Sequence, residues 1–310
     1  MKKKLLSLAT VVLSVFALST QANATTLSLV YTALGDSLTD PNTYAGKDWT
    51  TYPEYLCTDM LQYDVYMTLC NHGIGGYKTG DVLEQIKTDE TVINDIKNSN
   101  VITLQVGANN ITYAMIYSLA DSGLISLPFY YYFPPETDIP TCITQATDVL
   151  ADKDNYYHQT YITGVKDDLD QIISTIREYN ADADIYIATV YFEQETFTRM
   201  FQDMFAFTTD ESALLAEQYG VAANEVQNYF KDAAAYNDKV YYVDNSDLAN
   251  IYYFQYNEAG GIADIHPNQS GQVGLKNDFK NAFGAGKKDQ IFTTTTNDFT
   301  SLIQKVTDEL

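Results

Sequence analysis

The stretch LSLVYTALGDSLTDPN, Leu27–Asn42, runs from an apolar segment directly into a polar turn. Its first eight residues, Leu27–Leu34, are rich in β-forming side chains and predict a buried strand. Turn chemistry alone accounts for Gly, Asp, Ser, Asp, Pro and Asn after a strand, so Ser37 is either part of a polar turn or a nucleophile. The rest of the chain decides between these readings, because a nucleophilic serine needs a base, an orienting group and an oxyanion site.

Predicted strands and helices alternate along the rest of the chain. Further apolar strand segments are predicted at Val65–Cys70, Val101–Val106, Asp184–Phe192 and Lys239–Asp244. Helical spacing predicts helices at Tyr52–Leu61, Asp81–Asn98, Ile111–Leu119, Asp167–Tyr179, Ser212–Ala235 and Ser270–Phe283. The strands are continuous apolar runs rather than alternating ones, which is typical of strands covered on both faces. The pattern therefore predicts an α/β fold with a central parallel sheet.

The first 24 residues have the pattern of a cleaved export signal. Met1–Lys4 is basic, an apolar run that is short for a bilayer span follows, and Ala22 and Ala24 supply the small residues that a signal peptidase recognises. We expect cleavage after Ala24 and a secreted or periplasmic protein without a membrane anchor.

The remaining chain is expected to form a single domain. Removing 24 of the 310 residues leaves 286, a length at which one core is still feasible, so the domain spans residues 25–310. Two inserts, at about 124–158 and 193–211, and a polar tail from about 284 lie outside a minimal sheet. The inserts contain the aromatic runs Leu124–Asp138 and Phe197–Phe207, which either add to the core or form the walls of an acyl-binding cleft.

The charge of the chain limits its partners. Without Lys2, Lys3 and Lys4, 15 basic residues face 41 acidic ones, a net charge of −26. Such a surface repels phosphate backbones and anionic bilayers, so nucleic acid is excluded as a partner and a neutral or zwitterionic small molecule or lipid is expected. We expect a monomer.

Three cysteines and three histidines leave little room for a metal site. The spacings CxxC and HxxxH are absent, so no metal or other cofactor is predicted. Cys57 and Cys70 are close in sequence and export would permit oxidation, so we predict a disulfide between them. Cys142 would then remain a free thiol.

Four polar clusters follow predicted strands or lie before the last helix. They are GDSL at Gly35–Leu38, NHGIGG at Asn71–Gly76, GANN at Gly107–Asn110 and DIHPN at Asp264–Asn268. Ligands bind at the carboxyl ends of parallel strands, so the topology would bring these clusters to one edge of the sheet.

These four blocks, in this order, resemble the SGNH or GDSL hydrolase family. The resemblance spans most of the chain and implies a flavodoxin-like three-layer α/β/α sandwich that hydrolyses esters or transfers acyl groups. It implies that Ser37 is the nucleophile and His266 the base. The oxyanion hole would consist of the Ser37 N–H, the Gly76 N–H and the Asn109 amide. A structural interpretation also exists, in which Ser37 caps the helix that starts nearby and Asn109 or Asn110 caps the helix that follows GANN.

Two positions depart from the family pattern. The family has Asp three residues before the histidine, where this chain has Ala263, and Asp264 lies only two before it. Either Asp264 still orients His266, or a main-chain carbonyl does so in a Ser–His dyad, or an acid comes from elsewhere; we favour Asp264. In GANN, Asn110 replaces the usual aspartate, which affects support of the site rather than the reaction. The other histidines, His72 and His158, are interpreted as structural or surface residues.

The predicted function is that of a secreted serine esterase or lipase acting through an acyl-enzyme on Ser37. The aromatic inserts favour a lipid substrate, as in a lysophospholipase, lipase or acyltransferase. Tyrosines and the single Trp49 also stack on sugars, so a carbohydrate acetylesterase is the alternative. A hypothesis of another class is a secreted binding protein that kept the fold and lost turnover.

Overall fold

The computed structural model describes residues 27–124, 138–205, 207–245, 254–256 and 263–285. The strands are β1 Leu27–Gly35, β2 Val65–Asn71, β3 Val101–Gln105, β4 Asp184–Ala188, β5 Val240–Tyr242, β6 Phe254–Tyr256 and β7 Ala263–Pro267. The helices are α1 Tyr52–Met60, α2 Thr79–Thr88, α3 Glu90–Asn98, α4 Ala108–Asp121, α5 Ile139–Ala151, α6 Gly164–Tyr179, α7 Gln194–Phe205, α8 Thr209–Tyr236 and α9 Gln269–Ala285. A 3₁₀ turn at Leu61–Tyr63 and a π-helical turn at His158–Thr163 complete them.

The first five strands form one parallel sheet in the order β2-β1-β3-β4-β5. This is the flavodoxin-like order that the resemblance implies, so the predicted fold class is confirmed. β6 and β7 form a separate antiparallel pair just before α9. The central strand β3 is buried throughout, which explains why its sequence is an uninterrupted apolar run.

One face of the sheet is covered by α1 and α9. The hydroxyl groups of Tyr31 in β1 and Tyr52 in α1 both lie within hydrogen-bond distance of Thr103 Oγ1 in β3, at 2.8 and 3.0 Å. The Tyr52 ring stacks on Phe279 of α9 with the ring centroids 4.5 Å apart. Because α9 directly follows β7, packing of α9 against α1 places β7, which contains His266, near the end of β1.

The opposite face is covered by α2, α3, α6 and α8. Thr32 in β1 contacts Ser99 at the end of α3 through their hydroxyl oxygens, 2.6 Å apart. The predicted single helix Asp81–Asn98 is two helices here, α2 and α3. Asp89 leaves the helical conformation at φ −88° and ψ 110°, and its carboxylate accepts the N–H groups of the next turn. A residue that caps a new helix therefore divides a continuous apolar period.

The predicted disulfide between Cys57 and Cys70 is wrong, since both thiols are free. Cys57 lies on α1, on the same side of the sheet as the Tyr31 side chain. The Cys57 thiol is close enough to the Tyr31 hydroxyl group to raise the pKa of Tyr31. Cys70 is in register with Thr32, the next residue of β1, and interacts with Asp95 of α3. Neighbouring residues of a strand point to opposite faces, so the sheet itself separates the two thiols.

The second insert forms α7 and contributes to the core. Phe197, Met200 and Phe201 are at most 7% exposed, and the Phe197 ring stacks on Tyr219 of α8 at 5.0 Å. These apolar side chains are therefore used in packing α7 on α8 rather than in lining an open groove.

Several expectations lie outside the described residues. They are the export signal at 1–24, the aromatic run at 125–137 of the first insert and the tail from 286. Within the ranges that the structure describes, no helix combines the length and the apolar character that crossing a membrane requires.

Candidate active site

The polar blocks lie at the carboxyl ends of the central strands. β1 ends at Gly35, β2 at Asn71 and β3 at Gln105, and the strand register places these ends side by side. This edge is where open α/β sheets bind ligands.

The turn that carries Ser37 is tightly built. A Cβ on Gly35 would lie 2.3 Å from the Gln105 carbonyl oxygen, so only glycine fits between β1 and β3 here. The Asp36 carbonyl accepts the N–H groups of Thr39 and Asp40 at 3.0 and 2.9 Å, which closes the turn around Ser37. Ser37 itself is half-buried at the surface of this turn.

Asp36 places a buried carboxyl group directly beside Ser37. It is 1% exposed, and its Oδ1 accepts the Leu38 N–H at 3.0 Å. Burial raises the pKa of Asp36 to about 7, although the Leu38 hydrogen bond and the positive charge of His266 oppose the rise. His266 therefore lies close enough to Asp36 for a protonated imidazole to lower the pKa of this carboxyl group.

The second block is tied to the first through Asp40. Its Oδ2 accepts the Gly75 N–H at 2.9 Å, and a Cβ on Gly75 would lie 3.9 Å from the Ser37 Cβ. Gly76 has φ +83°, a conformation that favours glycine over residues with a side chain. The loop that bears the Gly76 N–H is therefore held directly against the serine turn.

Asn109, in the first turn of α4, reaches the same place. Its Nδ2 donates to the Tyr77 carbonyl at 3.0 Å and lies 3.5 Å from Asp36 Oδ2. One amide hydrogen is thus committed to Tyr77, while the second has only a long contact to a carboxylate. Such an amide can turn its second hydrogen toward an oxyanion without losing its anchor.

The contacts of Asn110 explain why this chain has asparagine where the family commonly has aspartate. Its Oδ1 accepts the Thr79 N–H at 3.1 Å, and its Nδ2 donates to the Tyr161 carbonyl at 2.9 Å and to Thr79 Oγ1 at 3.0 Å. An ionised aspartate would face the Tyr161 carbonyl with no hydrogen to donate, so an amide suits this buried position better.

The last block is anchored to the serine turn by two side chains. The Tyr44 hydroxyl donates to the Pro267 carbonyl, next to His266. Gln272 of α9 donates to the Leu38 carbonyl at 3.4 Å and accepts the Tyr52 N–H at 2.8 Å. The DIHPN block and the turn that carries Ser37 therefore form one packed unit.

The orienting acid is not located by these contacts. Asp264 lies in β7, but its side chain falls outside the described part of the chain.

The other two histidines lie in structural contacts. His72 Nε2 is 2.8 Å from Asp95 Oδ2, and buried His158 lies with Nδ1 3.0 Å from the Val149 carbonyl.

The sequence reasoning missed the residues that join the blocks, namely Asp36, Asp40, Tyr44 and Gln272. Asp36 and Asp40 lie within the stretch LSLVYTALGDSLTDPN, so their position was a usable signal. Gln272 had no such signal, because nothing in the local sequence distinguishes it from a surface glutamine of a helix.

Among the described residues, no group of three or more His, Cys, Asp and Glu is placed to hold a metal ion.

Comparison with known proteins gives one family. The model of the GDSL-like lipase/acylhydrolase family matches residues 33–273. A search of curated proteins finds no match.

Solved structures share the fold at low sequence identity. The chain is similar to the lipase Lip_vut3 from a goat rumen metagenome, with a TM-score of 0.51, 13% identity and coverage of 82% of this chain and 97% of the other. It is also similar to phospholipase A1 from Streptomyces albidoflavus NA297, with a TM-score of 0.51, 16% identity and coverage of 82% and 99%. The extracellular lipase from Streptomyces rimosus gives a TM-score of 0.50, 16% identity and coverage of 82% and 99%.

Proposed function

The chain belongs to the GDSL-like lipase/acylhydrolase family, and from that premise we propose that it hydrolyses carboxylic esters through an acyl-enzyme on Ser37. One observation carries the proposal: four blocks far apart in sequence are joined at one sheet edge. The bonds that join them are Asp40 to Gly75, Asn109 to Tyr77 and Tyr44 to Pro267.

In the proposed mechanism, His266 accepts and then donates one proton in each half-reaction. His266 takes the Ser37 hydroxyl proton as Oγ attacks the ester carbonyl, and the imidazolium then protonates the departing alcohol. In the second half-reaction, His266 takes a proton from water as the water oxygen attacks the acyl carbon. The imidazolium then returns this proton to Ser37 Oγ as the carboxylic acid leaves. The negative carbonyl oxygen of each tetrahedral intermediate is stabilised by the Ser37 N–H, the Gly76 N–H and the Asn109 amide.

We keep Asp264 as the residue that orients His266, with the dyad as the competing arrangement. The test compares turnover of His266→Ala, Asp264→Ala and the wild type on p-nitrophenyl acetate. We expect His266→Ala to abolish turnover and Asp264→Ala to lower kcat by more than about tenfold. Near-normal turnover of Asp264→Ala would reject the triad and leave a main-chain carbonyl as the partner of His266.

The substrate class is open between lipid and carbohydrate esters. The sequence favoured a lipid because of two aromatic inserts, but the described apolar residues of the second insert are buried in the core. The aromatic run of the first insert lies outside the described residues, so a lysophospholipase, lipase or acyltransferase activity rests on that run alone. A carbohydrate acetylesterase requires a surface for a sugar ring near the site.

The test of the proposed function is turnover of p-nitrophenyl esters from acetate to palmitate. We expect hydrolysis by the wild-type protein, loss of hydrolysis in Ser37→Ala and covalent labelling of Ser37 by a fluorophosphonate. The chain-length profile separates an acetylesterase from a lipase. Absence of both turnover and labelling would instead support the secreted binding protein.

We also propose that the protein is exported after cleavage behind Ala24. The basic start and the short apolar run support this proposal. Amino-terminal sequencing of the protein from the culture medium or periplasm should begin at Thr25. A mature protein that begins at Met1 would contradict it.

A further inference from the structure

Three tyrosines form a continuous aromatic row beside the proposed oxyanion site. The rings of Tyr113 and Tyr117 have centroids 5.3 Å apart, and those of Tyr117 and Tyr161 have centroids 5.4 Å apart. Each pair is tilted by 33°, so the faces are stepped rather than stacked flat. All three side chains are only half-buried, and we call them the tyrosine row.

The fold holds the row at both ends. Tyr113 and Tyr117 lie one turn apart on α4 and therefore share a face of that helix. Tyr161 comes from the π-helical turn His158–Thr163, a rare conformation that occurs frequently at functional sites. The Tyr161 carbonyl accepts the Asn110 amide at 2.9 Å, which fixes this turn to the residue after Asn109.

The row begins at the reaction centre. Tyr113 Oη lies 3.7 Å from the point that a Cβ on Gly76 would occupy. The Lys78 ammonium group lies 4.6 Å from the centre of the Tyr113 ring and forms an ion pair with Asp81 at 2.7 Å. A group bound along the row would therefore lie beside an ester whose carbonyl oxygen contacts the Gly76 N–H.

We propose that the tyrosine row binds the alcohol portion of the substrate and that this portion is a neutral sugar chain. The proposal rests on the proposed ester hydrolysis at Ser37. It assigns the substrate class to acyl esters of neutral oligosaccharides, with Tyr117 as the central stacking residue.

The chemistry of the row favours a sugar over an alkyl chain. A sugar ring presents polarised C–H groups on its face and hydroxyl groups on its rim, and a tyrosine matches both with a negative ring face and a phenolic hydroxyl group. An alkyl chain is better bound by purely apolar side chains, and the described ones of α7, Phe197, Met200 and Phe201, are buried. The net charge of −26 after removal of the three leader lysines also disfavours an acidic glycan.

The first test measures binding without turnover. Xylohexaose and cellohexaose are titrated calorimetrically into Ser37→Ala, alone and combined with Tyr117→Leu, Tyr117→Phe or Tyr236→Leu. We expect binding of at least one of the two probes, an increase in Kd of about tenfold or more for Tyr117→Leu, and a much smaller increase for Tyr117→Phe, which keeps the ring. Tyr236, 85% exposed at the end of α8, is the matched control.

The second test compares substrates. The ratio of kcat/KM on xylose tetraacetate to kcat/KM on p-nitrophenyl acetate should fall at least about tenfold in Tyr117→Leu, mainly through KM, and stay unchanged in Tyr236→Leu. If Tyr117→Leu does not fold, as judged by its melting temperature, Tyr161→Leu replaces it.

Three results would overturn the proposal: no binding of either hexasaccharide, equal affinity with and without the Tyr117 ring, or a selective loss on p-nitrophenyl palmitate. The last result would make the row an alkyl site. Failure of the proposed function has a different signature, since the wild type would then not hydrolyse p-nitrophenyl acetate although the binding experiment still reports on the row.

Discussion

Asp40 Oδ2 accepts the main-chain N–H of Gly75 at 2.9 Å, which joins the turn after β1 to the loop after β2 across the candidate site. Both ends of this bond lie within three residues of a proposed catalytic group, since Ser37 precedes Asp40 by three and Gly76 directly follows Gly75. The bond is therefore a local constraint on the distance between Ser37 and the Gly76 N–H, the proposed nucleophile and a proposed oxyanion donor. Turnover is most sensitive to small displacements of groups that are held in this way.

Asp40→Ala should lower kcat on p-nitrophenyl acetate by roughly tenfold with little change in KM, because the Gly75 loop loses its anchor. Asp40→Asn should retain more activity, since its amide oxygen can still accept the Gly75 N–H. Steady-state kinetics of the three proteins checks this. A rise in KM alone would show that the bond serves substrate binding rather than the position of Gly76.

Asn109→Ala should lower kcat by about 10²–10³, the usual cost of losing one oxyanion donor, while the melting temperature changes little. The control is Asn98→Ala, an exposed asparagine on α3 whose amide donates within its own helix. Equal kcat in Asn109→Ala and the wild type would remove Asn109 from the oxyanion hole.

Asn110→Asp introduces the residue that the family commonly has at this position, and it should destabilise this chain by about 1–3 kcal/mol at neutral pH. The new carboxylate cannot donate to the Tyr161 carbonyl, which Asn110 does at 2.9 Å. Urea unfolding against the exposed Asn98→Asp gives the free energy of unfolding. An unchanged free energy would mean that Tyr161 finds another donor.

The raised pKa of Asp36 predicts that the free energy of unfolding depends on pH. Burial raises its pKa to about 7 in the folded protein, against about 3.9 in an unfolded chain. The folded state therefore holds this proton more tightly, so the contribution of Asp36 to stability is full below pH 4 and is lost as the pH rises toward 7.

Asp36→Asn cannot lose a proton and should gain stability relative to the wild type, by more than about 1 kcal/mol, between pH 4 and pH 8. The measurement is the free energy of unfolding of both proteins at each pH, with the exposed Asp154→Asn as the control. A difference that stays constant, or that shifts in favour of the wild type, contradicts the raised pKa of Asp36.

Free thiols are the last prediction. In the denatured, non-reduced protein, three thiols per chain should react with Ellman's reagent, because none of the cysteines forms a disulfide. They are Cys57, Cys70 and Cys142. In the folded protein at pH 8, Cys142 should be protected from the reagent because it is 1% exposed. Of the two half-buried thiols, Cys57 should react more slowly than Cys70, since burial and then the Glu54 charge raise the pKa of Cys57 to about 12. One equivalent of thiol instead of three would restore the disulfide.

Most of the fold could be predicted from the chain alone. Continuous apolar runs such as Val101–Val106 can be satisfied only inside a sheet covered on both faces, and the strand here is Val101–Gln105. Element ends were harder, because they depend on caps. Asp89 interrupts an apolar period that local reasoning extends to Asn98.

The sequence by itself determined the parallel α/β fold and the order of the four polar blocks, because hydrophobic periodicity and turn residues act over a few neighbours. Only the tertiary structure decided how distant residues meet. It placed Cys57 and Cys70 on opposite faces of the sheet, buried Asp36 beside Ser37 and set Tyr161 next to Tyr117. These relationships depend on strand register and helix packing, which local sequence does not specify, since a shift of one residue turns every side chain of a strand to the other face.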